Sequence, residues 1–452
     1  MIIAVIKKLL PRRREISLNL ILPFQQFFKK EASSSLLLIG TTLLALIWAN
    51  SPYAETYHRF WETEIAISFG HLGFAKTMRE WINEGLMSIF FFTVGLEIKR
   101  EILVGELASV KKALLPVGAA IGGMLVPALI YFFINQGLPS STGWGIPMAT
   151  DIAFALGAIY ILGRRIPTGI RVFLSAFAIV DDLGAVFVIA LFYTSGVVFH
   201  YLLISLLIMF ILGLANFFQV RKTFFYAVLG LFLWFSILGS GLHATVAGII
   251  VAMFIPARGK YDTDRFLEDT GYFLGEFQCP PEGCGRSILL NQRHLNAVQS
   301  IELACHHVET PLQRLEHSLH PWVAFVVVPV FALANAGITF GEVELSRAFS
   351  DPLTLGIILG LVVGKPLGIS LSSFIFVKSG LASLPKSIRW EHILGASMLG
   401  GIGFTMSLFI AGLSFPAGEI LNYSKLGIIT ASLISGIVGL SFLYLFSFKK
   451  NP

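Results

Sequence analysis

The chain has 452 residues, of which 55% are hydrophobic and only 13% charged, and its mean hydropathy is +0.77. Soluble domains carry about 25% charged residues, so this composition excludes a soluble domain with an anchor and indicates a polytopic membrane protein. The formal charge of +6 does not signal nucleic acid, because Lys and Arg gather on no binding face.

Residues 1–31 are basic and amphipathic, with Lys7, Lys8, Arg12, Arg13, Arg14, Lys29 and Lys30 interrupted by Pro11 and Pro23. This stretch is expected on the cytoplasmic membrane surface. It lacks the small-residue cleavage site of a signal peptide. Residues 32–448 then read as one membrane domain, with a short tail at 449–452. Apolar runs fall at about 33–49, 81–98, 113–134, 144–162, 170–193, 197–218, 223–238, 240–256, 321–338, 353–377, 392–413 and 426–448. Runs of about 20 apolar residues suit spanning helices, so the expected fold class is an all-α polytopic membrane protein with about twelve spans. Between the first two, WETEIAISFGHLGFAKTM (Trp61–Met78) predicts a small β-hairpin with Gly70 near its turn. Glu84 stands near the outer end of the second span.

Lys and Arg set the orientation. With the N-terminus inside, 27 of the 33 basic residues lie on the inner side. The outer loops hold only Arg59, Lys76, Arg79, Arg347 and Lys425, and Lys365 lies within a span. Both termini are therefore expected in the cytoplasm. The same bias makes 257–320 an extended cytoplasmic loop, and it holds all three cysteines. An odd number of cysteines there argues against a disulfide framework. Cys279, Cys284, Cys305 and His306 are zinc-type donors with irregular spacing, and a cytoplasmic helix with reduced thiols is the preferred reading.

Three spans keep charges at mid-membrane. IRVFLSAFAIVDDLGAVFVIALFY, residues 170–193, places Asp181 and Asp182 side by side at its centre. A charge at mid-bilayer costs ~2.5–3.5 kcal/mol on insertion scales. Neighbours on a helix point about 100° apart, so both carboxylates must line a cavity or meet other helices. Two adjacent carboxylates repel, which suits a pair that trades protons for a small cation. One structurally paired and one protonated Asp, without transport, is the plainer alternative. GWGIPMATDIAFALGAIY, from Gly143, carries Thr150 and Asp151 after a run of Gly and Pro, which predicts an interrupted helix. Asp151 and Thr150 there are either cation ligands or N-caps of the second half-helix, and both roles are compatible. The third span is centred on Lys365 in GKPLGIS. Its partner is expected to be Asp181 or Asp182, and it is either a counter-ion or a proton carrier. MLGGIGFTMSLFI, from Met398, predicts a second interruption at Gly400, Gly401 and Gly403. Paired interruptions in different halves point to a transporter binding site. Three acids and one base suit a cation, and hard oxygen donors suit sodium or lithium.

Several stretches together resemble the NhaA family of sodium/proton antiporters. They are Asn83–Leu103, GWGIPMATDIAFALG, FLSAFAIVDDLGAVFVIALFYT, GLHATVAGIIVAMFIP, RLEHSLHPWV, FALANAG, GKPLGIS and GIGFTMS, in order over most of residues 81–440. NhaA is itself a worked example of inverted-repeat transporters in general accounts. The resemblance implies inverted three-helix repeats whose interrupted helices, here around Asp151 and Gly401, cross at mid-membrane. It implies Na⁺ and H⁺ exchange at Asp181 and Asp182, with Asp182 the essential ligand, Asp181 the partner of Lys365, and Thr150 and Asp151 in support. It implies electrogenic, pH-regulated antiport of Na⁺ or Li⁺ in a bacterial inner membrane, and no cofactor. Glu97, Lys99, Arg100, Glu101, His243, Glu316, His317 and His320 match positions linked to pH response. Capped or salt-bridged helix ends account for these residues as well. The hairpin near 61–77 resembles the family's homodimer contact, by strand addition at an exposed edge. Two departures stand out: Glu84 replaces a shorter Asp, and the 257–320 loop is longer. On the residues alone, an organic-anion symporter and a membrane pH sensor acting through that loop are the rivals.

Overall fold

In the computed structural model, the residues described are 33–69, 72–194, 196, 198–259, 262–277, 291–342, 344–385 and 388–447. The basic 1–31 segment, Cys279 and Cys284 lie outside them. The structure is mostly helical, with one small two-stranded antiparallel sheet. The chain divides into two compact units, the first made of residues 1–90, 101–195 and 322–452, the second of residues 91–100 and 196–321.

In the first unit, α1 (Ser33–Ala49) turns by 111° into α2 (Ala54–Glu62). Then β1 (Glu64–Phe69) pairs with β2 (Leu72–Thr77) in the register Glu64↔Thr77 to Phe69↔Leu72. The hairpin falls within the Trp61–Met78 stretch expected for it. A reciprocal capping box between Thr77 and Glu80 starts the next helical turn. Helix α3 (Met87–Val104) follows, its residues 91–100 belonging to the second unit, and the first unit continues with α4 (Val110–Ile134), a 3-10 segment Pro139–Met148, α5 (Ile152–Ile161) and α6 (Thr168–Phe192).

Helices α7 (Phe199–Phe217), α8 (Thr223–Gly239) and α9 (Thr245–Phe254) belong to the second unit. Among its described residues the 257–320 segment holds α10 (Thr263–Gly275), α11 (Gln292–Val308) and the start of a further helix at Pro311. Asp262 and Asn291 cap the N-termini of α10 and α11. Arg293 pairs with Glu276 and holds that carboxyl below its usual range, so this link persists above the ordinary carboxylate pKa and is lost as pH falls. Cys305 lies exposed on α11. Among the described residues no three His, Cys, Asp or Glu groups gather as metal donors.

Helix α12 runs Pro311–Asn335, so it starts a full ten residues before the expected span at 321 and passes through Pro321. The amphipathic RLEHSLHPW stretch is helical although too polar to read as a span. Next come α13 (Leu345–Ser350), α14 (Pro352–Lys378), α15 (Trp390–Leu399), α16 (Phe404–Ser414) and α17 (Glu419–Ser447). Among the described residues six helices are long and apolar enough to cross a membrane, or up to nine if each bent pair is one span. The expected spans at 223–238 and 240–256 fall on the shorter apolar helices α8 and α9. The count of twelve therefore remains an expectation.

Two features of the first unit place the candidate site. The first is close packing of α14 on α4. A Cβ built on Gly368 would lie 2.1 Å from the Gly122 carbonyl oxygen, and one on Gly122 would lie 2.3 Å from that of Gly368. Only glycine allows this backbone contact, as in membrane helix pairs generally. The second is a widened turn in α14, Gly360–Gly364, immediately before Lys365 and Pro366. Proline lacks an N–H and its ring clashes with the carbonyl four residues back, so a wide turn relieves the clash.

Gly368→Val is accordingly expected to lower folded yield sharply, since overpacking costs ~1–3 kcal/mol even where neighbours can shift and here they are backbone. Gly412→Ala, where an added Cβ meets nothing within 4 Å, serves as the control. Fluorescence-detected size exclusion on both variants checks this, and an unaffected Gly368→Val would remove the packing argument.

Candidate functional site

The helix interruptions bring their broken backbones together. The first lies between the 3-10 segment Pro139–Met148 and α5, with a bend of 44°. The second lies between α15 and α16, with a bend of 46°. Pro147 and the glycines weaken the helix here, and the freed backbone groups find partners across the crossing. The Asp151 N–H donates to the Ile402 carbonyl at 2.7 Å. The Thr150 hydroxyl donates to the Gly400 carbonyl at 2.9 Å. The Ser407 hydroxyl donates to the Ile146 carbonyl at 2.8 Å. Gly401 is required by a close approach, since its Cβ would lie 2.4 Å from the Leu361 carbonyl oxygen.

Asp151 is buried at the centre of this crossing. One carboxylate oxygen accepts the Phe154 N–H at 3.1 Å, capping α5. The other accepts the Thr405 N–H at 3.0 Å and the Thr405 hydroxyl, near the start of α16. One carboxylate thus serves two helix N-termini, where negative charge is favourable. Of the two roles open for Asp151, the capping role is present. Thr405 and Ser407 are members of the site that sequence reasoning missed. The available signal was a hydroxyl just after a helix-breaking glycine run, which is the pattern of a helix start.

Asp181, Asp182 and Lys365 are 1%, 1% and 0% exposed. Lys365 Nζ donates to Asp181 at 2.9 Å and 2.7 Å, one bond to each oxygen, and also to the Met148 carbonyl. The Phe177 ring centroid lies 5.5 Å from the same ammonium. Asp181 faces Thr150, and Asp182 acts on the Lys365 charge. The structure therefore joins Asp181, Asp182, Lys365 and Thr150 in one buried group, beside the crossing that holds Asp151.

A family model described as Na+/H+ antiporter 1 matches residues 25–443. The chain belongs to the NhaA family of sodium/proton antiporters. It is 48% identical to Na(+)/H(+) antiporter NhaA 2 of Syntrophotalea carbinolica over 428 residues, covering 95% of this chain and 97% of that one. It is 47% identical to Na(+)/H(+) antiporter NhaA of Oleidesulfovibrio alaskensis, covering 93% of each. It is 45% identical to Na(+)/H(+) antiporter NhaA of Syntrophobacter fumaroxidans, covering 95% of this chain and 92% of that one. As an NhaA antiporter it is a membrane transporter of Na⁺ and H⁺.

The residues expected to respond to pH divide. In the second unit, Glu97 and His320 approach to 3.6 Å, and Arg100 pairs with Glu316. Lys99 donates to the carbonyls of Met253 and Ile255, so it caps the C-terminus of α9, the dipole end that favours a cation. The His243 carbonyl accepts the Val246 N–H at 3.1 Å in the turn before α9. His317 is exposed. Glu101 accepts the Glu106 N–H at 2.9 Å. In the NhaA chain described here, Glu84 forms an ion pair with Lys76 of β2.

Lys365→Met strands the Asp181 carboxylate, and breaking a buried pair from one side costs about 3–5 kcal/mol. The single variant is expected to show a clearly lowered thermal midpoint, with most of the loss recovered by adding Asp181→Asn. Thermal stability followed by size exclusion tests this, and a single variant as stable as wild type would count against the pairing.

Proposed function

We propose that this antiporter is electrogenic, exports Na⁺ or Li⁺ against entering H⁺, and is regulated by pH. We place it in the inner membrane of a bacterium with both termini in the cytoplasm. The observation that carries the reading is the buried Asp181–Lys365 pair with Asp182 adjoining it. In this reading Asp182 is the carboxylate that takes the cation and Asp181 its partner, with oxygen donors suited to a small hard ion. Protons and cation compete for the same oxygens, so one site couples the two fluxes without a complex that holds both. Each ligand shifts the two access states only through its differential affinity for them. Asp181, Asp182 and Lys365 together release more than one proton for one monovalent cation, so each cycle moves net charge. Membrane voltage then drives export with ~2.3 kcal/mol per charge per 100 mV. Thr150 and Asp151 hold the crossing in shape, with Gly400, Gly401 and Gly403 giving it room.

For pH control, the Glu97–His320 and Arg100–Glu316 contacts act as latches. Histidine changes charge near neutral pH. Protonated His320 attracts Glu97, and rising pH removes that attraction, so activity increases with pH. His243, Lys99, Glu101 and His317 are secondary candidates for the same control. Two copies associate through the open edge of the β1–β2 hairpin.

The deciding experiment uses proteoliposomes with an imposed acid interior and a pH-sensitive dye. Collapse of the gradient by NaCl and LiCl but not KCl is expected, lost in Asp182→Asn. No response between pH 6.5 and 9 in folded protein would sink the reading. In the same assay, Glu97→Gln is expected to move half-maximal activity to lower pH by about half a unit, because a part-exposed pair is worth ~0.2–1 kcal/mol. An unchanged pH profile would remove Glu97 from the latch.

A further inference from the structure

The outer loops inferred from the Lys and Arg distribution hold five basic residues. Three of them are accounted for. Arg59 pairs with Glu55, Lys76 pairs with Glu84, and Arg347 is exposed to solvent. The remaining two, Arg79 and Lys425, come together in the first unit. Lys425 on α17 is 7% exposed, and its ammonium reaches the Gly337 carbonyl at 3.3 Å. The charged group that acts on it is the Arg79 guanidinium, which is of like sign. Among the described residues neither cation has a carboxylate partner. The Arg79 Nε is itself buried with no acceptor.

Tyr57 links the two. Arg79 acts on its ring hydroxyl, which donates to the Leu333 carbonyl at 2.8 Å and packs against Gly337. A third buried donor lies one ring away. Trp61, 4% exposed and 6.3 Å from Tyr57 between ring centroids, has an indole N–H with no acceptor. Two donors, the Arg79 Nε–H and the Trp61 indole N–H, are left without acceptors, and two like charges have no carboxylate partner among the described residues. Burying such groups is costly unless something accepts from them.

We propose that Lys425, Arg79 and Trp61 cradle a phosphate-bearing anion, either a lipid phosphodiester or free phosphate. A phosphate offers several oxygens at once, which matches a planar guanidinium fork beside an ammonium and an indole N–H. Bound there, it offsets the repulsion of the pair and fastens α2 and α17 to the turn at Gly337. The cradle is separate from Asp181, Asp182 and Lys365, and its test involves no ion flux.

The full chain is purified in an uncharged detergent, and its thermal midpoint is followed at constant ionic strength set with chloride. One arm adds inorganic phosphate. The other adds phosphatidylglycerol, with phosphatidylcholine as the comparison lipid. A ligand in large excess over its Kd raises the midpoint by mass action. A rise of several degrees with inorganic phosphate assigns the free anion, and a rise only with phosphatidylglycerol assigns the headgroup. The rise is expected to disappear in Lys425→Met and Arg79→Gln, and to survive in Lys425→Arg and in Lys378→Met, an exposed lysine elsewhere. Should Lys425→Met fail to fold, Arg79→Gln decides, because its side chain is only partly buried. No rise in wild type with either addition overturns the proposal. So does an equal rise in wild type and Arg79→Gln.

Discussion

The structure of the first unit depends on one buried ion pair, Lys365 with Asp181. An ammonium and a carboxylate in an apolar interior are tolerated only with good geometry and further hydrogen bonds. Both conditions require particular backbone around the pair. The widened turn at Gly360–Gly364 sets where Lys365 leaves α14. The interrupted segment after Met148 supplies a carbonyl to the same ammonium. A continuous helix would have kept that carbonyl in its own ladder. The break and the charge pair are therefore parts of one arrangement.

The second dependency is the mutual repair of the two interruptions. Each broken helix leaves backbone groups that lipid cannot satisfy. Thr150, Asp151 and Ser407 settle this by bonding across the crossing. Asp151 carries the largest share, since it answers two helix N-termini with one side chain. Removing the negative charge would leave two positive dipole ends facing each other.

Much of this was legible in the chain. Asp181, Asp182 and Lys365 are conspicuous because charge is rare in runs so apolar, and the cost of stranding them predicts that they meet. The interruptions were legible because Gly and Pro cluster at mid-span in Gly143–Pro147 and Gly400–Gly403. The hairpin followed from alternation around Gly70. What stayed hidden involves partners without a chemical mark in the sequence. The Met148 carbonyl is a backbone atom, and any residue could provide it. Thr405 lies 254 residues from Asp151, so only the fold pairs them. The early start of α12 was hidden for another reason. Its first turns are polar, and a reading based on hydropathy begins where the apolar run begins.

The contact of Gly122 with Gly368 has a consequence for leakage. A transporter that couples two ions must close every path by which one could pass alone. At this seam the backbones of α4 and α14 touch at Gly122 and Gly368, with the Ser372 side chain packed against Gly122 beside the contact. The two glycines leave no room between them for a file of water molecules, and the Ser372 hydroxyl beside them is turned onto the Gly368 carbonyl at 2.7 Å. The seam lies less than one turn from Lys365. The glycine row thus seals one wall beside the charge pair, and wetting of the carboxylates has to come from another side.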